Sequence, residues 1–253
     1  MKKIIISSLV CCTMLSVALP TITASASEID TLSNSSAIID INEPNDSLVE
    51  NYIQEYDISL DKAEILKYKA ENGIPWDIYD DEKFNAIPEE YKSISLDELE
   101  QGITSKRYDM EDGSVFTIDM SPDPSIIQTR AVVNYSQGSQ YNQHTFSMSR
   151  GLLNSKIKVT GWLARVGFGY SKITESYGGS ISGFRTNGST SERIVRGTES
   201  SGKAALVELK WATSGTTGGS WGPFSGSIPV GSTCFMYVAF IRGQVKVAAS
   251  VPL

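Results

Sequence analysis

Two hydrophobic rhythms divide the chain. Between residues 46 and 73 apolar side chains recur at helical spacing. Leu48, Val49, Tyr52, Ile53 and Tyr56 form one stripe behind Asp46 as N-cap, and Ala63, Ile65, Leu66 and Tyr68 form a second behind Ser59. Gly73 stops that second helix ahead of Pro75. A short third helix is predicted over residues 95–99. Extended runs at 106–110 and 114–120 flank Glu111-Asp112-Gly113, an Asp-Gly signal for a hairpin.

After residue 126 the period drops to two. Phe146 and Met148, Ile157 and Val159, and Ala205, Val207, Leu209 and Trp211 alternate with polar neighbours, as half-buried strands do. Val166, Phe168 and Tyr170 alternate in the same way and predict another strand, and Gly161 invites a bulge. Residues 234–241 are apolar on both faces, the pattern of a central strand covered on two sides. They lead through Arg242-Gly243 into the alternating Val245, Val247, Ala249 and Val251, a hairpin signal. The Ser/Gly/Thr-rich stretches 176–190 and 213–226 read as loops and hairpin ends. The predicted fold is mainly β: a C-terminal antiparallel sandwich or barrel, preceded by a small helical segment with a hairpin.

Charge changes the picture. Residues 27–125 carry 25 acidic against 7 basic side chains, or −18, whereas residues 126–253 carry 4 against 13, or +9. Eighteen of the 21 glycines lie after Arg130, but only three of the nine prolines, so composition breaks where charge does. The break falls in Ser121-Pro122-Asp123-Pro124-Ser125, expected to be an extended linker. The expected organisation is a disordered lead over 27–45, an acidic helical and hairpin region over 46–125, and a basic β-sandwich domain over 126–253.

Residues 1–26 carry an address. Lys2 and Lys3 precede an apolar run ended by Pro20, and Ala24-Ser25-Ala26 offers a signal-peptidase site after Ala26. A spanning helix needs about 20 apolar residues, so cleavage and secretion are expected, with no transmembrane segment afterwards. Cleavage removes Cys11 and Cys12 and leaves Cys234 alone, which excludes an internal disulfide.

Catalytic chemistry has a thin base. A thiol nucleophile at Cys234 needs His144 as base, with Arg242 supporting an oxyanion. The order His144, then Thr233-Cys234 at a strand, then Arg242 resembles the sortase transpeptidases. That resemblance implies a β-barrel acting on the exported side as a Cys/His-dependent extracellular hydrolase or transpeptidase. The chain departs from the pattern because 235–241 is a continuous apolar strand where those enzymes place a loop. With one His and one retained Cys, a metal site would need oxygen ligands alone, and Asp77, Asp80, Asp81 and Glu82 lack the calcium-loop spacing and read as a solvated turn. No phosphate-binding glycine loop occurs, so no cofactor or metal is expected.

The basic surface is the stronger lead. A +9 domain attracts an anionic envelope polymer, lipid or glycan, with Arg185, Arg193, Arg196 and Lys203 as the expected patch. Trp221, in Trp221-Gly222-Pro223-Phe224, offers a ring for sugar stacking, although Trp162, Trp211 and Trp221 also suit a core. The natural counter-charge is the covalently joined acidic segment, present at high effective concentration. The expected function is therefore a secreted, non-enzymatic β-sandwich protein whose acidic segment serves as a propeptide or cover. Processing after Arg130 would release a basic, antimicrobial or toxin-like fragment.

Overall fold

The computed structural model describes residues 45–122, 136–183, 186–213 and 233–250. Helix α1 runs Asn45–Glu55 and helix α2 Leu60–Glu71. Val49 and Tyr52 of α1 and Ala63 and Leu66 of α2 are buried, but Ile65 and Tyr68 stay exposed, so the second apolar stripe is narrower than its spacing predicts. Gly73, at φ +64°, turns the chain after α2 in the left-handed region that glycine tolerates.

Next comes a compact stretch whose pattern was too short to read from sequence. A 3-10 turn at Asp77–Tyr79 leads into α3, Asp81–Ala86, capped by the Asp80 carboxylate accepting from the Lys83 amide at 3.0 Å. A second turn, Glu89–Tyr91, precedes strand β1, Ser93–Ser95. Helix α4, Leu96–Glu100, the short helix that the sequence predicts over 95–99, then starts on a reciprocal cap between Ser95 and Glu98. The predicted hairpin follows as β2, Ser105–Asp109, and β3, Val115–Ser121.

Seven strands are described beyond residue 126: β4 Gly138–Arg150, β5 Leu153–Ala164, β6 Lys172–Gly183, β7 Thr186–Arg196, β8 Ala205–Thr213, β9 Thr233–Ile241 and β10 Gln244–Ser250. All pair antiparallel. One sheet has the order β1-β10-β9-β8-β7, and the other β2-β3-β4-β5-β6. The fold is mainly β and sandwich-like, with helices ahead of most strands. Backbone bonds from Ile173 N to Gly197 O and from Glu199 N to Ser171 O, both 2.8 Å, stitch the sheets where the start of β6 meets the chain leaving β7. At the far side β2 is the outer strand among the described residues and carries Lys106 and Arg107, charges that disfavour pairing with other chains.

The acidic stretch is woven into both sheets. β1 pairs with β10, and β3 pairs with β4 from Phe116 opposite Arg150 to Ser121 opposite Thr145. One hydrophobic core holds Trp76, Ile78, Phe84 and Phe116 from before residue 125, together with Phe146, Leu209, Val238 and Phe240 from after it. The change in composition at 121–125 therefore does not divide the core, which draws on both sides of it; residues 123–125 lie outside the described residues.

Four sequence expectations need correction. Residues 165–171 form the β5–β6 connection and not a strand, although Val166, Phe168 and Tyr170 alternate; Gly167 and Gly169, at φ +93° and +97°, turn the backbone out of extended geometry. Most of 176–190 is strand, in β6 and β7, because Ser, Thr and Gly can occupy a ladder whose hydrogen bonds come from the backbone. Strand β9 is central, yet it is fully buried on one face only; Phe235, Tyr237 and Ile241 are half-buried on the other. Of the acidic turn, Asp80 and Glu82 are exposed and Asp81 is half-buried, but Asp77 is not solvated: it is 7 % exposed and bonded to two lysines.

Candidate functional site

Cys234, His144 and Arg242 occupy three separate places. Cys234 lies near the start of β9, opposite Trp211, and is fully buried. Burial pushes its thiol up to about 11, against the pull of the nearby Arg150 charge, so thiolate is scarce at neutral pH. His144 belongs to the other sheet, beside the bulge between Tyr141 and His144. Its Nδ1 lies 3.3 Å from the Asn142 carbonyl, its ring meets Tyr141 edge-on at 5.0 Å, and burial lowers its pKa. Arg242 sits in the β9–β10 turn at φ +47°. Eight residues of extended strand, at about 3.3 Å each, separate it from Cys234 by roughly 26 Å. Among the described residues no group of three or more His, Cys, Asp or Glu side chains is placed to hold a metal.

Charge pairing across the two halves is the most developed polar feature. Arg150, the last residue of β4, is 3 % exposed. Its Nε donates to the Ile78 carbonyl at 2.8 Å, Nη2 donates to Asp81 Oδ1 at 3.0 Å, and the guanidinium lies 4.1 Å from the centre of the Phe84 ring. Beside it, the Leu152 amide donates to the Tyr79 hydroxyl at 2.7 Å. Gly151 makes that approach possible, since a β-carbon there would stand 2.3 Å from the same hydroxyl oxygen. At one end of the sandwich Arg165 binds Asp97 at 2.7 Å and Glu100 at 2.6 Å; Lys246 binds Glu89 at 3.1 Å. Each of these cations comes from the basic half and each carboxylate from the acidic half.

A second network stays within the acidic half. Lys69 bridges Asp77 and Asp112, each at 2.8 Å, and Lys83 adds a bond to Asp77 at 2.7 Å. Burial alone would raise the Asp77 pKa, but the hydrogen bonds from Lys69 and Lys83 outweigh it and hold the carboxyl below its ordinary value. A cavity of ≈ 360 Å³ opens between Glu89, Glu90, Ser95, Glu98, Lys106 and Lys246. Its lysines already face Glu98 and Glu89.

The predicted basic patch is distributed more widely than its sequence positions suggest. Arg193 pairs with Glu208 at 3.1 Å, and Arg196 donates to the Ala204 carbonyl at 2.8 Å. Lys203 projects from a tight turn closed by reciprocal backbone bonds with Ser200, both 2.9 Å. Arg185, Trp221, Ala26 and Arg130 lie outside the described residues. Lys156, Lys172, Lys203, Lys210 and Arg242 are exposed and enter no ion pair among the described residues.

Three connections meet at the end where Arg165 is anchored. Glu199, between β7 and β8, is buried and accepts from the Ser171 amide and from the Arg242 amide, each at 3.1 Å. The Ser171 hydroxyl accepts from the Ala164 amide at 3.2 Å, closing the base of the β5–β6 connection. Above this base Val166, Phe168 and Tyr170 are 69 %, 53 % and 57 % exposed. The alternation that points to a strand marks a protruding apolar loop instead; the glycines between the apolar residues were the signal available in the sequence.

These features define an antiparallel, sandwich-like protein with an acidic helical stretch built into its sheets and surplus cations on its β half. In comparisons with known proteins no family model, curated protein or solved structure matches the chain.

Proposed function

We propose that the chain is an exported, non-enzymatic binding protein, in which the acidic half covers and partly neutralises a basic β-sandwich that meets an anionic envelope or extracellular partner. The observation that carries this reading is the division of the cations. Arg150, Arg165 and Lys246 are held by carboxylates of the acidic half, while Lys156, Lys172, Lys203, Lys210 and Arg242 face solvent without a counter-ion among the described residues. Unpaired cations on one module raise the local concentration of polyanions and speed their association. Export rests on the Lys2-Lys3, apolar run and Ala24-Ser25-Ala26 pattern.

The acidic half acts in this reading as a resident cover. Strands β1 and β3 give it backbone bonds to β10 and β4, so a cut after Arg130 would leave the pieces clasped. Release of a toxin-like fragment would then require a further unfolding step. The thiol-enzyme alternative has less support, given a buried Cys234 whose pKa is raised and a His144 on the opposite sheet.

The test is polyanion binding by the material the cell releases, measured with polyphosphate across a salt series, together with its intact mass. The reading expects a chain starting near Ser27 and affinity that falls steeply with salt. Absence of polyphosphate binding at low salt would refute the binding role, and a retained residue 1–26 segment would refute cleavage of the leader.

A further inference from the structure

The protruding β5–β6 connection is apolar where a soluble surface gains nothing from being so. Val166, Phe168 and Tyr170 are each more than half exposed, and they alternate with Gly167 and Gly169, around which a β-carbon would meet no atom within 4 Å. Scattered exposed apolar residues are unremarkable, but three on one loop form a patch that calls for a partner. The base beneath them is tied together, because Glu199 accepts backbone amides from both neighbouring connections, and Arg165 at its start pairs with Asp97 and Glu100. Lys172, Lys203 and Arg242 leave the same three connections and are exposed without ion pairs among the described residues.

We propose that this loop is a membrane-interface finger: Val166, Phe168 and Tyr170 enter the headgroup boundary of an anionic lipid surface while Lys172, Lys203 and Arg242 bind its phosphates. The chemistry favours lipid over a soluble polymer or a glycan. A tyrosine and a phenylalanine beside an aliphatic residue suit a layer that is apolar on one side and wet on the other. A glycan would need free hydrogen-bonding groups around the rings, and here Ser171 and Glu199 are already engaged within the loop base. Cations at the height of the base match the negative potential of an anionic leaflet, and each contributes about a fivefold gain in partitioning.

The inference deepens the anionic-partner reading and rests on it, so the experiment separates the two. The full chain, recovered from its native cell after whatever processing that cell performs, is floated with phosphatidylglycerol–phosphatidylcholine vesicles and with phosphatidylcholine vesicles. The V166S/F168S/Y170S and K172Q/K203Q variants are treated alike, and polyphosphate binding and thermal midpoints are measured in parallel. The expected result is binding to the anionic vesicles, weakened at least about tenfold in the serine variant, with polyphosphate affinity and midpoint unchanged. K172Q/K203Q should also lose vesicle binding, and pure phosphatidylcholine should bind least. Equal vesicle binding by wild type and the serine variant overturns the finger and leaves polyanion binding standing. Absence of polyphosphate binding in the wild type overturns the underlying reading instead.

Discussion

Replacing Arg150 with alanine removes a buried side chain that touches Ile78, Asp81 and Phe84 of the acidic half at once. Its Nε satisfies the buried Ile78 carbonyl at 2.8 Å, and an orphaned buried acceptor costs about 1–3 kcal/mol. Its guanidinium lies 4.1 Å from the Phe84 ring centre, and a desolvated cation–ring contact is worth about 2 kcal/mol. The bond to Asp81 adds less, about 0.5–1 kcal/mol, because that carboxylate is 35 % exposed and screened by water. The expected destabilisation is about 4 kcal/mol, lowering the thermal midpoint by about 10 °C for a body of this size. Arg150→Met keeps most of the volume and its contact with Phe84, and should cost about half as much. Urea unfolding followed by tryptophan fluorescence and by far-ultraviolet circular dichroism measures both variants. Because the two halves share sheets and core, wild type should unfold in one transition that both probes report together. A cost under about 1 kcal/mol for Arg150→Ala, or two separate wild-type transitions, would refute the argument that this clasp joins the halves.

Other outcomes follow from the same geometry. Asp77 has a pKa held below its ordinary 3.8, so it favours the folded state above that value and loses this contribution as pH falls through its folded pKa; Asp77→Asn should flatten the acid limb of urea midpoints between pH 2 and about 5, and an unchanged limb would count against the network. The Cys234 thiol, raised to about 11 by burial, should resist a thiol reagent at about pH 8 until urea unfolds the chain, and rapid labelling of folded protein would contradict that placement. Gly151→Ala forces a β-carbon to 2.3 Å from the Tyr79 hydroxyl at φ +58°, so it should destabilise by about 2–3 kcal/mol in the same assay; a neutral effect would mean that this approach is not required. Protein nicked after Arg130 should elute in gel filtration as one species and separate only in denaturant, because β1 and β3 stay paired with β10 and β4; separation without denaturant would sink the resident-cover reading.

The helices α1 and α2, the β2–β3 hairpin and strands β4, β5, β8, β9 and β10 were legible because each carries its own periodicity or turn signal. The Arg242-Gly243 turn is one case: both residues take positive φ, +47° and +71°, as a two-residue hairpin requires. Strands β6 and β7 were not legible. Their Ser, Thr and Gly positions carry little apolar contrast, and their pairing is decided by neighbours far along the chain. The protruding loop failed in the opposite direction, since alternation survives on paper while two glycines turn the backbone. Of the candidate site, the surplus of positive charge could be counted, but not which cations would be matched.

By itself the sequence determined the class of each strongly periodic segment, the charge division and the absence of a second cysteine after residue 12, because these are local or additive properties. Tertiary structure alone decided that acidic strands complete both sheets and that Arg150 is buried against Phe84. It also decided that Val166, Phe168 and Tyr170 face solvent. Those outcomes depend on which distant surfaces exclude water from one another, and no local pattern encodes that.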